Sequence, residues 1–207
     1  MLDSTATKKA YTSAEALNAL KKGNARFVNK ENGKQDLLAQ MHETRDGQSP
    51  FAVILSCIDS RTSAELIFDL GIGDVFSIRI AGNIVNEDIL GSMEFACKAA
   101  GARLIVVMGH TKCGAVKGAC DDVRMGNLTT LLSKIQPAVA HEKTVIAMED
   151  RSSGNAAFVQ KVADINVQRA VAAIMERSAV LKEMIDSKAI TIVGAMHDIE
   201  TGIVTFS

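Results

Sequence analysis

The amino-acid sequence predicts an α/β fold: a mainly parallel sheet flanked by helices and entered through an N-terminal helical arm. Three observations predict it. Three nearly continuous apolar runs, FAVILSC (51–57), DVFSIRI (74–80) and RLIVVMG (103–109), have the length and β-branched content of strands buried on both faces. Helical candidates lie between them, a short one at Ser63 to Leu70 and a longer one at Asp88 to Ala100, which gives the β-α-β alternation of a doubly wound sheet with right-handed crossovers. No repeat, low-complexity tract or linker interrupts the chain, so residues 1–207 read as one domain.

The remaining elements follow in order. The opening MLDSTATKKAY is small, polar and basic, the composition of a disordered tail, a remnant of a removed signal or an expression-derived edge, and sets about residues 1–12 apart. From Thr12 to about Val28, Ala16, Leu17, Leu20 and Phe27 recur at helical spacing behind a Thr12/Glu15 capping box. Turn-forming residues then punctuate a loop-rich passage up to residue 50, so 13–50 read as an arm or cover. After residue 113 come shorter helical stretches and one long helix from about Ala156 to Ser187, with Val159, Val162, Ala163, Ala170, Val171 and Ile174 as its apolar stripe. AITIVGAM (189–196) and GIVTF (202–206) close the chain as strands around a turn.

Composition excludes several function classes. With 47% hydrophobic residues the chain has ample material for a core, and 23 basic against 24 acidic residues leave no global positive field to gather nucleic acid or anionic lipid. No apolar run reaches the roughly 18 residues of a membrane span, and no secretory signal opens the chain, so it reads as cytoplasmic as written, or periplasmic if a signal has been removed. Four cysteines are too few for a disulfide scaffold and suggest metal ligands or buried thiols.

Cys57 ends the first strand, and His110 and Cys113 follow the third in GHTKCG. In open α/β sheets ligands gather at strand carboxyl ends where the strand order reverses, so pairing of the first and third strands would bring the three together. Two thiolates and an imidazole suit zinc, and three protein ligands leave the fourth tetrahedral position open for catalysis. The HxxC spacing alone is weak, and such a set without supporting neighbours is as readily accidental. The neighbours here are CIDSR, in which Asp59 can accept a hydrogen bond from metal-bound water while Arg61 keeps it ionised and aimed; the plain alternative is a solvated ion pair. Gly114 offers a backbone N–H to a substrate oxygen, and Gly82 and Asn83 either floor the pocket or simply make a tight turn. Cys97 and Cys120 read as inert buried thiols, His42 and His141 as solvated.

GQSPFAVILSCIDSRTSAELIFDLGIGDVFSIRIAGN, SMEFACKAAG and LIVVMGHTKCGAVKG together resemble the successive signature blocks of β-class carbonic anhydrases, and GNARF (23–27) and VGAMHDIETGIVTF extend the resemblance over nearly the whole chain. The resemblance implies the β-carbonic anhydrase fold and reversible hydration of carbon dioxide to bicarbonate and a proton. It implies one zinc per subunit on Cys57, His110 and Cys113, with a zinc-bound hydroxide oriented by the Asp59/Arg61 dyad. It also implies that Gln48 hydrogen-bonds substrate across a subunit boundary in a homodimer or dimer of dimers. The chain departs from the family's pattern in the segment after Arg61, which lacks a common proline; at Phe95, where tyrosine is common near the cleft; and at His197, which stands in place of a late tyrosine. With no tryptophan either, the open subtype is expected over the one in which the dyad aspartate closes the site. Rival readings are a relative that hydrolyses carbonyl sulfide or carbon disulfide, and a non-catalytic bicarbonate-sensing or metal-storage protein.

Overall fold

The computed structural model describes residues 11–207; the expectation of a separate opening segment falls mostly on residues 1–10, outside the described residues. In chain order the elements are α1 (Ser13–Val28), α2 (Leu37–Glu43), β1 (Ala52–Ser56), α3 (Ala64–Ile67), β2 (Val75–Arg79), α4 (Glu87–Glu94), β3 (Leu104–His110), α5 (Gly114–Cys120), α6 (Gly126–Ser133), α7 (Gln136–His141), α8 (Ala156–Arg177), α9 (Ala179–Asp186), β4 (Thr191–His197) and β5 (Val204–Phe206). Among the described residues no helix is long and apolar enough to cross a membrane.

The sheet runs β2-β1-β3-β4-β5. The first four strands are parallel, and β5 returns antiparallel to β4. Strand order therefore reverses between β1 and β3, whose carboxyl ends carry the CIDSR and GHTKCG segments. All residues of β1 and β3 are buried. Their period-2 alternation sends Val53, Leu55, Ile105 and Val107 to one core layer with α4, α8 and α9, and Ala52, Ile54, Leu104 and Val106 to another with α1 and α3. The expectation that the second run is buried on both faces is corrected: β2 is an edge strand, with Ser77 and Arg79 exposed.

Helix α1 starts at the expected capping box, with Thr12 Oγ1 accepting from Glu15 N and the Glu15 carboxylate accepting from Thr12 N. It covers the sheet and does not project: Ala16 and Leu20 are fully buried against Phe51 and Phe68. Burying a leucine to this degree contributes about 2 kcal/mol. Inside the passage expected as loop stands α2, capped by Asp36. The expected single helix from 156 to 187 is two helices, because Ser178 ends α8 and its hydroxyl caps α9 through Leu181 N.

Candidate metal centre

Cys57, His110 and Cys113 meet where β1 and β3 end, their ligand atoms all within 4.8 Å of one another and all three residues buried. Each is delivered by a different local device. Cys57 follows the last residue of β1, and the turn after it is tied by Thr62 Oγ1, which donates to Cys57 O at 3.1 Å and Asp59 O at 3.0 Å. Arg79, from the end of β2, grips the same loop by donating to Cys57 O at 3.1 Å and Asp59 O at 2.5 Å. His110 is the last residue of β3 and Cys113 the N-cap of α5, reached through Lys112 in the left-handed region at φ 58°.

The donor set fits a metal ion. His110 Nδ1 sits 2.9 Å from Thr111 O, an acceptor, so Nδ1 carries the proton and Nε2 of the neutral ring is a bare lone pair. That Nε2 is buried and finds no hydrogen-bond partner among the described residues. A buried polar atom left this way costs free energy unless something binds it. The two sulfurs lie 4.0 Å apart and share a proton: the Cys113 thiol donates to Cys57, holding Cys57 down to about 4 and pushing Cys113 well up. Gly82 N–H, at 3.4 Å, adds to the stabilisation of the Cys57 thiolate, against the opposing effect of burial. Backbone N–H groups of Ala115 and Val116, in the first turn of α5, do the same for Cys113. Two cysteine sulfurs, one of them already a thiolate, beside a bare imidazole nitrogen form a soft donor set of the kind zinc takes once the shared proton is released.

Asp59 flanks this cluster with its Oδ2 4.0 Å from His110 Nε2. Arg61 holds it in a fork, and Arg61 N donates to the same carboxylate at 3.0 Å. These hydrogen bonds keep the carboxyl well below the usual carboxylate range.

A carbonic anhydrase family model matches residues 52–204. The chain belongs to the carbonic anhydrase family. It is 36% identical over 196 residues to carbonic anhydrase 2 of Mycobacterium tuberculosis, covering 90% of this chain and 89% of that relative. To the carbonic anhydrase of Mycolicibacterium smegmatis it is 32% identical over 194 residues, with the same coverage of 90% and 89%. Among solved structures, a tetrameric β-carbonic anhydrase of the ascomycete Sordaria macrospora shares the fold with a TM-score of 0.70 at 24% identity, over 92% of this chain and 95% of that one. Family, class and fold therefore stand as the sequence blocks implied.

The other residues singled out in this carbonic anhydrase are placed as follows. Gln48 is exposed in the coil between α2 and β1. Gly114 opens α5, and a Cβ there would meet nothing within 4 Å, so packing does not require glycine. Gly82 takes φ +66°, a conformation that favours glycine, and a Cβ there would fall 2.5 Å from Ile135 Cδ1 and oblige that side chain to shift. Asn83, at φ 43°, is buried with Nδ2 unpartnered among the described residues. Phe95 packs edge-on against Phe76 at the outer edge of the sheet, ring centroids 6.1 Å apart. His197 is in register with His110 across β3 and β4 and is buried, with Nδ1 unpartnered among the described residues. Burial pushes the Cys97 thiol up to about 12 and the Cys120 thiol up to about 11, as in inert thiols. His42 and His141 are exposed. Sequence reasoning missed Arg79; its signal was an arginine ending the strand beside CIDSR.

Proposed function

We propose that this enzyme reversibly hydrates carbon dioxide to bicarbonate and a proton, with one zinc ion per subunit held by Cys57, His110 and Cys113. The observation that carries the reading is the bare, buried Nε2 of His110 clustered with the sulfurs of Cys57 and Cys113, all within 4.8 Å of one another, with an ionised carboxylate alongside. Bound there, zinc supplies the Lewis acidity that lets a water lose its proton near neutral pH.

The chain's own residues do the rest. Asp59 accepts the O–H of the attacking water and so turns its lone pair toward the carbon of carbon dioxide. Arg61 keeps Asp59 acceptor-only and fixed, because both of its oxygens are held by guanidinium hydrogen bonds. That grip supports the open form of the site, since a carboxylate so engaged is not free to turn onto the metal. Gln48, exposed on a single chain, is assigned to a substrate oxygen in the cleft of a neighbouring subunit. Gly114 N–H is assigned to a second substrate oxygen. A homodimer or dimer of dimers is the working unit, a reading supported by the tetrameric relative of the same fold.

The test is metal analysis and stopped-flow hydration on the purified holoenzyme, with carbonyl sulfide and carbon disulfide as competing substrates. One zinc per chain and a clear preference for carbon dioxide are expected. Faster turnover of a sulfur-containing substrate would reassign the chemistry, and zinc without turnover of any of the three would make the protein a binding module.

A further inference from the structure

We infer that Asn166 is a positioning residue for the metal centre: through Gly82 it holds a backbone N–H against the sulfur of Cys57. The inference rests on Cys57 being a ligand. Asn166 lies within α8 at 5% exposure, in a stripe otherwise made of Phe158, Val159, Val162, Ala163 and Val167. A carboxamide among these side chains costs desolvation free energy unless its polar atoms are matched. Its Nδ2–H donates to Gly82 O at 2.8 Å, in a bond that is itself buried. On the other side of the same Cα, Gly82 N–H donates to Cys57 Sγ at 3.4 Å.

The two peptide groups that flank Gly82 are thus tied at opposite ends, one to α8 and one to the thiolate. Glycine has the softest torsions in the chain, and here a side chain that would stiffen it is disfavoured, because φ +66° is a conformation L side chains rarely adopt and a Cβ would crowd Ile135 and Ala115. The rigidity must come from outside the residue. Asn166 supplies it by fixing the carbonyl, which limits how far the segment can rotate and withdraw its N–H from sulfur. An N–H···S bond disperses thiolate charge and fixes the direction of the sulfur lone pairs, and partners of this kind typically change metal affinity by roughly 10- to 100-fold. Asn166 has no contact with substrate in this scheme and acts only through Gly82.

The experiment compares the zinc-loaded wild type with Asn166→Leu, which keeps the size and removes the donor; Asn166→Gln, which restores a carboxamide N–H; and Val162→Ala, a core cavity on the same helix. Two readouts are taken: the rate of zinc release to a chelator, and the sulfur-to-metal charge-transfer band after cobalt substitution. Asn166→Leu should release zinc about tenfold faster or more and shift the band, and Asn166→Gln should reverse much of both changes. Val162→Ala should lower Tm and leave both unmoved. A wild-type release rate and band in Asn166→Leu would overturn the assignment. If that variant does not fold, the wild type loaded with cadmium-113 decides: a scalar coupling between the metal and the Gly82 amide proton across sulfur is expected, and its absence refutes the link. Failure of the wild type to bind any metal would instead refute the ligand reading.

Discussion

Asp59 accepts both prongs of the Arg61 guanidinium, Nε at 2.9 Å on Oδ1 and Nη2 at 2.8 Å on Oδ2. The pair stands partly in solvent, so its contribution to stability is small. Its value lies in direction. Asp59→Asn keeps the size but replaces an acceptor with a donor on one side. It should retain zinc and fold while losing roughly 10- to 100-fold in hydration rate. Stopped-flow rates with zinc content measured on the same samples check this, and wild-type turnover would reclassify the pair as structural.

The three proposed ligands are tested separately. Cys57→Ser, His110→Ala and Cys113→Ser should each lose most bound zinc, since three protein donors leave no redundancy. Elemental analysis after gel filtration reads the result. Full stoichiometry in all three would remove the assignment.

Gly23, in the GNARF segment, has packing as its physical reason: a Cβ there would lie 1.8 Å from the carbonyl oxygen of Phe68. Backbone cannot give way as a side chain can. Gly23→Ala should therefore push α1 off the sheet and destabilise the fold by about 1–3 kcal/mol, the usual cost of overpacking. Urea unfolding at neutral pH measures it; an unchanged midpoint would contradict the close approach.

His197 gives a pH dependence with a definite sign. Burial lowers its folded-state pKa below that of the unfolded chain. Between those two values the unfolded state binds more protons, so this contribution is fully present above about pH 6.5 and is lost as pH falls through the folded value. His197→Gln should flatten the fall in unfolding free energy between pH 7 and pH 5. Equal slopes in variant and wild type would show that His197 does not carry it.

Assembly is the remaining prediction. The proposed assignment of Gln48 to the metal centre of a neighbouring subunit predicts that activity follows dimer concentration through a dilution series, and that Gln48→Ala lowers activity without changing sedimentation. A fully active monomer would contradict it.

The central strands β1 and β3 and the cluster of Cys57, His110 and Cys113 at their ends were legible because burial on both faces leaves a continuous apolar run, and because CIDSR and GHTKC each keep their chemistry within a few residues. The partial exposure of β2 was not, since an edge position depends on sheet order and leaves little mark on five residues. Helix α2 escaped because Leu37, Leu38 and Met41 are exposed on the described chain, so no buried face imposes a period. The break at Ser178 was readable in principle, serine being a good N-cap, but the apolar stripe continues on both sides of it. Asn166 was invisible for the opposite reason: its partner is a backbone carbonyl 84 positions away along the chain.

The pairing of β1 with β3 also orders events during synthesis. Cys57 and Cys113 lie 56 positions apart along the chain, and the loop between them must close before both sulfurs face one another. A ribosome-bound chain that has released only CIDSR holds one thiol in an unfinished sheet and has nothing with which to retain an ion. On the proposed assignment, the complete donor set exists only after both segments are released, and the ion then stabilises the paired state by binding it in preference to the unfolded chain.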